Sequence, residues 1–299
     1  MFAFRSMNTE VTVTADDPHE HAIAAQVAAI FWQAERRFSR FRKDSELATL
    51  NGSQGPLAVS PELFDALRRA CHYAEMTDGI FDPGVGADIV AFGYDRSFAP
   101  GALDRERRSS SPRAGRLRDL ILDPGTLTVE RPSELLIDLG GMIKGATVDV
   151  AAGCLRTSGA IDAGGDAVLR GRSPTGEPWL VEVEDPRDPS KLLAAFRLSD
   201  RAVATSAANR RRWRVGESVA HHLIDPRTRS PGETDLLQAT VIAPTAELAD
   251  VLAKTAFLLG EEAGRRFLER ERDVGAVLVP RRGALVVVGA VDIRAGGHG

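Results

Sequence analysis

Apolar and polar residues alternate with a period of two along residues 10–15 (EVTVTA), which predicts an edge-type strand. The period then lengthens, and Ile23, Val27, Ile30, Phe31, Ala34 and Phe38 fall on one face of a long amphipathic helix. Ser60-Pro61-Glu62 reads as an N-cap with proline at the first helical position. Phe64, Leu67, Cys71 and Ala74 carry a buried stripe on to Thr77, and Asp78-Gly79 ends that helix. Residues 120–122 and 127–129 flank Asp123-Pro124-Gly125 as the arms of a hairpin. Further on, a helix runs through Val148, Ala151 and Leu155, and short strands are expected at 167–169, 180–183, 202–204, 222–224 and 237–243. Helices at 247–259 and 261–272 follow, then strands at 276–279 and 284–288. Hairpin-spaced strands mixed with paired helices favour an α+β fold over a doubly wound parallel sheet. Between 96 and 118 the chain turns to Arg, Ser, Pro, Gly and Ala, too poor in apolar residues to pack, and a mobile surface loop is expected.

The 299 residues are 43% hydrophobic and 27% charged, with a net charge of −4, an ordinary profile for a chain that buries a sizeable core. Arginines and acids are interspersed, so no basic stripe points to nucleic acid, and small molecules or proteins are the expected partners. Cys71 and Cys154 sit in apparent helices without metal-ligand spacing and read as buried thiols. The opening residues lack a long apolar stretch and a lipobox cysteine, and no later run approaches the roughly 18 apolar residues of a membrane span. The expectation is a cytoplasmic protein without membrane insertion.

The densest chemistry lies in Ile137-Asp138-Leu139-Gly140-Gly141-Met142-Ile143-Lys144-Gly145. There an apolar strand ends in a carboxylate and a glycine pair before a helix begins, the sequence form of an anion-binding turn. Lys144 adds a full charge and is one of only four lysines among 38 basic residues. Five other polar clusters fall where strands or helices end, and each has a plain structural reading. Asp82, in Gly79-Ile80-Phe81-Asp82-Pro83, can cap its own turn. Asp162-Ala163-Gly164-Gly165-Asp166 can be a tight strand connection, and Thr205-Ser206 an N-cap. His222 and Ile224 share a face of the 222–224 strand, with Asp225 opening a turn. Asp250 stands near a helix start, where the dipole alone favours a carboxylate.

In this order the clusters resemble the ApbE family, flavin transferases that use FAD to attach FMN to proteins. The resemblance runs through Ser6-Met7-Asn8-Thr9, the Phe38–Leu47 segment with Leu50-Asn51, and Asp78 to Pro83. It continues through Ile137 to Gly145, Gly164-Gly165-Asp166, Thr205-Ser206, His222 to Thr228, Ala249 to Lys254, and Phe257 to Gly260. It implies one domain over 1–299 with a T-fold-like α+β architecture: mixed or antiparallel sheets, packed helices, and an FAD cleft between two interleaved lobes. By the same resemblance Met7 and Phe41 border the cofactor, Ile80, Phe81 and Asp82 line it, and Asp138 and Lys144 contact it from the glycine turn. Leu223 and Ile224 lie alongside, and Mg²⁺ is held by the Gly141 carbonyl and the Asp250 carboxylate. An acceptor-protein Thr or Ser hydroxyl then attacks the FMN phosphorus and AMP leaves. His222 is the natural base for that hydroxyl, since an unperturbed imidazole is mostly neutral near pH 7; Asp250 is the second catalytic candidate.

The chain departs from the family pattern at three places. Asn8 stands for the glycine of the N-terminal motif, and it tolerates left-handed backbone. Arg229 and Ala207 stand for two further glycines. Lys254 stands where the family has a threonine metal ligand, with Ala253 at the intervening ligand-type position. Asp250 and Lys254 share a helical face, and the lysine is read as replacing part of the ion's charge at the pyrophosphate, with Thr255 as an alternative ligand. The expected activity is FAD:protein FMN transfer. The alternatives are an FAD-binding protein that transfers nothing, and a pyrophosphatase releasing FMN and AMP.

Overall fold

A computed structural model describes residues 1–96, 104–105, 115–209, 211–289 and 292–295. Most of the 96–118 run expected to be a mobile loop lies outside the described residues. Its end does not: Leu117–Asp119 is a 3₁₀ turn with Leu117 fully buried. The chain divides into two compact units. One comprises Met1–Trp32, Lys144–Asn209 and Thr234–Gly299, the other Gln33–Ile143 and Arg210–Glu233.

The first unit is built on an eight-stranded antiparallel sheet in the order Phe2–Ser6, Thr9–Asp16, Ser158–Ala163, Ala167–Arg170, Arg201–Ala207, Leu236–Ala243, Gly275–Pro280 and Val286–Val288. The 10–15 strand is therefore internal and not at an edge, because residues 2–6, too polar at Arg5 and Ser6 to read as a strand, pair with it. Period-two alternation sorts the two faces. On one, Val11, Val13, Ile161 and Ala202 pack against Ile23, Val27 and Phe31 of the Glu20–Phe38 helix and against Val148 and Ala151. On the other, Val203, Ile242 and Val277 pack against Val183, Ala194 and Phe196. The latter three come from a second sheet, Trp179–Asp185, Asp188–Leu198 and Ile293–Ala295. The helix expected through Leu155 ends at Ala152, leaving Cys154 outside it, and the helix expected at 261–272 ends at Leu268.

The second unit holds the helices Glu46–Gly52, Pro61–Met76 and Gly86–Ala91 and several two- and three-stranded ladders. Ser45 and Ser60 cap the first two helices by accepting from the Ala48 and Leu63 amides. The buried face of Pro61–Met76 is Leu63, Phe64, Leu67 and Ala70, one position round from the expected stripe, with Cys71 only half-buried. The 120–129 hairpin forms as read, Ile121–Asp123 pairing with Thr128–Glu130. A core of Ile89, Tyr94, Trp213, Val215, Ala220 and Ile224 closes this unit.

Candidate active site

In the first unit the site is built on the Ile143–Ala152 and Ala246–Leu259 helices, which are locked together at two points. A Cβ on Gly145 would lie 2.5 Å from the Ala246 carbonyl oxygen, so only glycine permits this approach. One turn on, the Ala246 and Glu247 amides donate to the two oxygens of Asp149 at 2.7 and 2.9 Å. Asp149 thus caps a helix other than its own, satisfying two amides that no turn of that helix can reach. Thr245 takes the Leu248 amide in addition.

This lock fixes Lys144 in the first turn of one helix and Asp250 in the second turn of the other. Lys144 Nζ pairs with the Asp166 carboxylate and donates to the Ala163 carbonyl at 2.8 Å. Two of its three hydrogens are committed in these contacts. Asp166 is only 2% exposed. Burial first, and then the negative charge of Asp250, push its carboxyl up to about 7, against the pull of Lys144 and Lys254. Asp250 is 6% exposed, and its Oδ1 accepts from Lys254 Nζ at 3.3 Å. Its Oδ2 is fully buried and has no hydrogen-bond partner among the described residues. A carboxylate oxygen held from water without a donor is costly, and the usual resolution is a cation. Thr255 is fully buried, and its hydroxyl donates back to the Val251 carbonyl at 2.8 Å. Among the described residues no three His, Cys, Asp or Glu side chains converge as a metal site.

Met7 and Asn8, at φ +49° and +60°, form the two-residue turn between Phe2–Ser6 and Thr9–Asp16. Asparagine tolerates this left-handed conformation better than most residues. Gly164 and Gly165 make the tight connection to Asp166, both at positive φ, with Asp162 accepting from the Gly164 amide. Thr205 and Ser206 lie within the Arg201–Ala207 strand and cap no helix. The Thr205 hydroxyl instead shares a hydrogen bond of 3.0 Å with Thr240 of the neighbouring strand.

In the second unit Asp138 opens the Leu139–Gly141 turn and accepts from the Gly140 amide at 2.8 Å. Its other oxygen takes Arg40 Nε at 2.6 Å. Arg40 also donates to the Tyr94 carbonyl and lies over the Phe41 ring at 4.0 Å. Phe41 meets Tyr94 edge-on, and Tyr94 stacks on Trp213. The apolar strand expected ahead of Asp138 does not form: the segment is irregular with a single bridge from Leu136 to Val85, and Asn51 holds it by reading both polar groups of Ile137 at 2.9 Å. Buried Arg131, at the start of the same segment, bonds to the carbonyls of Leu50, Asn51 and Ser53. Ile80, Phe81 and Asp82 are all buried. Asp82 does cap its own turn, accepting from the Gly84 and Leu117 amides.

The strand expected at 222–224 is broken. Ser218–His221 and Ile224–Asp225 are separate strands, and His222 sits in the bend where the first ends, so His222 and Ile224 do not share a strand face. His221 is structural: its Nδ1 accepts from the Leu223 amide and its Nε2 lies 3.2 Å from the Gly232 carbonyl. Leu223 and Ile224 are buried. Burial raises the Asp225 carboxyl, but Arg227's guanidinium and amide outweigh it, and the group ends below its ordinary value. Arg229 adopts φ +58° and binds Asp88 Oδ1 through Nε and Nη2 at 3.0 and 2.9 Å.

Arg229→Gly relieves about 1 kcal/mol of left-handed strain but leaves Asp88, 6% exposed, without its guanidinium. We expect a net loss of about 2 kcal/mol, read as a lower melting temperature. Arg229→Gly/Asp88→Asn should recover most of it. A single variant as stable as the parent would show that the ion pair contributes nothing.

Three residues of this architecture, Arg40, Asp149 and Asp166, escape a reading by motif roles. Asp149 had a signal, a lone carboxylate in the apolar run Ala146 to Ala152. The pairing of Lys144 with Asp166, 22 residues on, had none.

The family model described as the ApbE family matches residues 7–278. The FAD:protein FMN transferase of Treponema pallidum is 30% identical over 293 residues, covering 91% of this chain and 81% of its own. That of Vibrio cholerae is 28% identical over 255 residues, covering 83% and 76%. Among solved structures, the ApbE protein of Thermotoga maritima superposes with a TM-score of 0.85 at 25% identity, covering 96% of each chain. The flavin transferase ApbE of Vibrio cholerae superposes with a TM-score of 0.80 at 23% identity, covering 99% of this chain and 96% of the other. A match across nearly the whole length, in sequence and in fold, establishes that the chain belongs to the ApbE family.

Proposed function

We propose that this protein is an FAD:protein FMN transferase, moving the FMN moiety of FAD to a threonine or serine hydroxyl of an acceptor protein and releasing AMP. The observation that carries the reading is the buried, unpartnered Oδ2 of Asp250, beside a second buried carboxylate and two lysines, in a member of the ApbE family. Asp250, with the Gly141 carbonyl, would hold Mg²⁺, for which an oxygen-only donor set is suited. When bound, the ion supplies charge stabilisation at the transferring phosphate.

The chain's own groups do the rest. The diphosphate of FAD carries about two negative charges that repel an incoming oxygen, and positive charge preplaced where the leaving phosphate gains electrons lowers that barrier. Lys144 offers its remaining hydrogen there, and Lys254 adds a point charge beside Asp250. Met7, Phe41, Ile80, Phe81, Asp82, Asp138, Leu223 and Ile224 contact FAD and orient it. His222 accepts the proton of the acceptor hydroxyl as its oxygen bonds to the FMN phosphorus. The bond from that phosphorus to the bridging oxygen breaks, and AMP departs with the electron pair.

Product stoichiometry tests the reading. Chromatography of a reaction with acceptor present should give one AMP for each FMN bound to protein and no free FMN. Free FMN in step with AMP would mean a pyrophosphatase that uses water in place of the hydroxyl. Bound but intact FAD would mean a binding protein in which Lys254 has displaced the metal.

A further inference from the structure

Arg40 is a buried cation to which the proposed function assigns no role. Its side chain is 5% exposed, and a desolvated guanidinium persists only where its donors and charge are matched. Nε meets Asp138 Oδ2 at 2.6 Å and Nη2 the Tyr94 carbonyl at 2.7 Å. The guanidinium plane sits 4.0 Å from the Phe41 centroid and 5.0 Å from that of Tyr94. Asp138 is thereby held at both ends, by Arg40 on Oδ2 and by the Gly140 amide on Oδ1, and cannot turn.

The charge balance gives this contact a consequence for binding. Asp138 opens the glycine turn and, on the function proposed above, contacts FAD. A bare carboxylate at that place repels a ligand carrying two phosphates, and in a half-buried setting water screens the repulsion poorly. A guanidinium bonded to it cancels the charge while keeping the carboxylate's geometry, and its fork does so more rigidly than an ammonium. We propose that Arg40 is a positioning residue for FAD binding: it neutralises Asp138 and fixes its rotamer, so that the glycine turn accepts a dianionic ligand, and it braces Phe41 against the Tyr94 and Trp213 stack. This assignment rests on the transferase reading.

The test is a cycle of variants read by FAD titration, using quenching of flavin fluorescence, and by steady-state transfer. Arg40→Met keeps the apolar stem over Phe41 and removes the charge. It should raise the FAD Kd and KM about tenfold while kcat at saturating FAD stays within about threefold. Arg40→Met/Asp138→Asn, with neither charge, should return Kd to within about threefold of the parent, a rescue that a purely structural role does not produce. Additive losses in the double variant, or parental binding by Arg40→Met, overturn the assignment. If Arg40→Met does not fold, the uncharged Arg40→Gln takes its place in the same cycle: rescue by Asp138→Asn supports the assignment, and additive losses refute it. A parent protein that binds no FAD overturns the transferase reading and this assignment with it. A parent that binds FAD beside an unaffected Arg40→Met overturns the assignment alone.

Discussion

Asp250→Ala lowers the rate of FMN transfer at least about 100-fold at saturating FAD, equivalent to about 2.7 kcal/mol of transition-state stabilisation. That is the scale on which removing a single preplaced electrostatic contact to a developing charge is felt. The stability of the variant should move little or even rise. Among the described residues Asp250 meets only Lys254, at 3.3 Å, and its other oxygen is buried without a donor, so folding recovers little from this carboxylate. Its charge also raises the carboxyl of Asp166, which the substitution relieves. The signature is a collapsed rate with an unchanged or higher melting temperature. A large loss of stability together with activity would instead mean that Asp250 belongs to the framework.

Gly145→Ala has the opposite signature. The added methyl would stand 2.5 Å from the Ala246 carbonyl oxygen and 2.7 Å from the Glu247 amide nitrogen, both backbone atoms that no rotamer change can move. The Ile143–Ala152 helix must shift, and the shift opens the two hydrogen bonds from the Ala246 and Glu247 amides to Asp149. Overpacking of this kind costs about 1–3 kcal/mol, and two weakened charge-assisted caps add roughly 1–2 kcal/mol. For a chain of this length that corresponds to a melting point lower by roughly 5–15 °C. Transfer should fall as well, because Lys144 and Asp250 ride on the two helices that part. Asp149→Asn, which keeps the shape but halves the acceptors, should lose about half as much. A parental melting temperature in Gly145→Ala would show that the helices are not locked at this point.

The elements that carry strong periodicity were legible. The helix bearing Ile23, Val27 and Phe31, the Ser60-Pro61 helix start and the Asp123-Pro124-Gly125 hairpin all form where the pattern places them. What eluded the pattern lies where tertiary partners override it. The Phe2–Ser6 strand owes its existence to Thr9–Asp16, and Arg5 and Ser6 hide it. The His222 strand breaks because Leu223 donates to His221, a local bond that competes with a ladder. Lys144 and Asp138 stood out as single residues, but their charge partners, Asp166 and Arg40, come from elsewhere in the sequence. Partnership across such distances is written in the fold and not in spacing. Asn8 and Arg229 show the converse: both are substitutions for a family glycine, both fall in left-handed backbone, and the type of residue alone announced the first but not the second.

The central claim is that this chain moves FMN onto protein. The direct measurement is intact-mass analysis of an acceptor domain carrying a flavinylation threonine, after incubation with the protein, FAD and Mg²⁺, beside lanes containing EDTA or His222→Ala. The account predicts a mass gain of one FMN moiety, reduced by EDTA and abolished in His222→Ala. An acceptor of unchanged mass, with FAD either bound intact or split to free FMN and AMP, would contradict it.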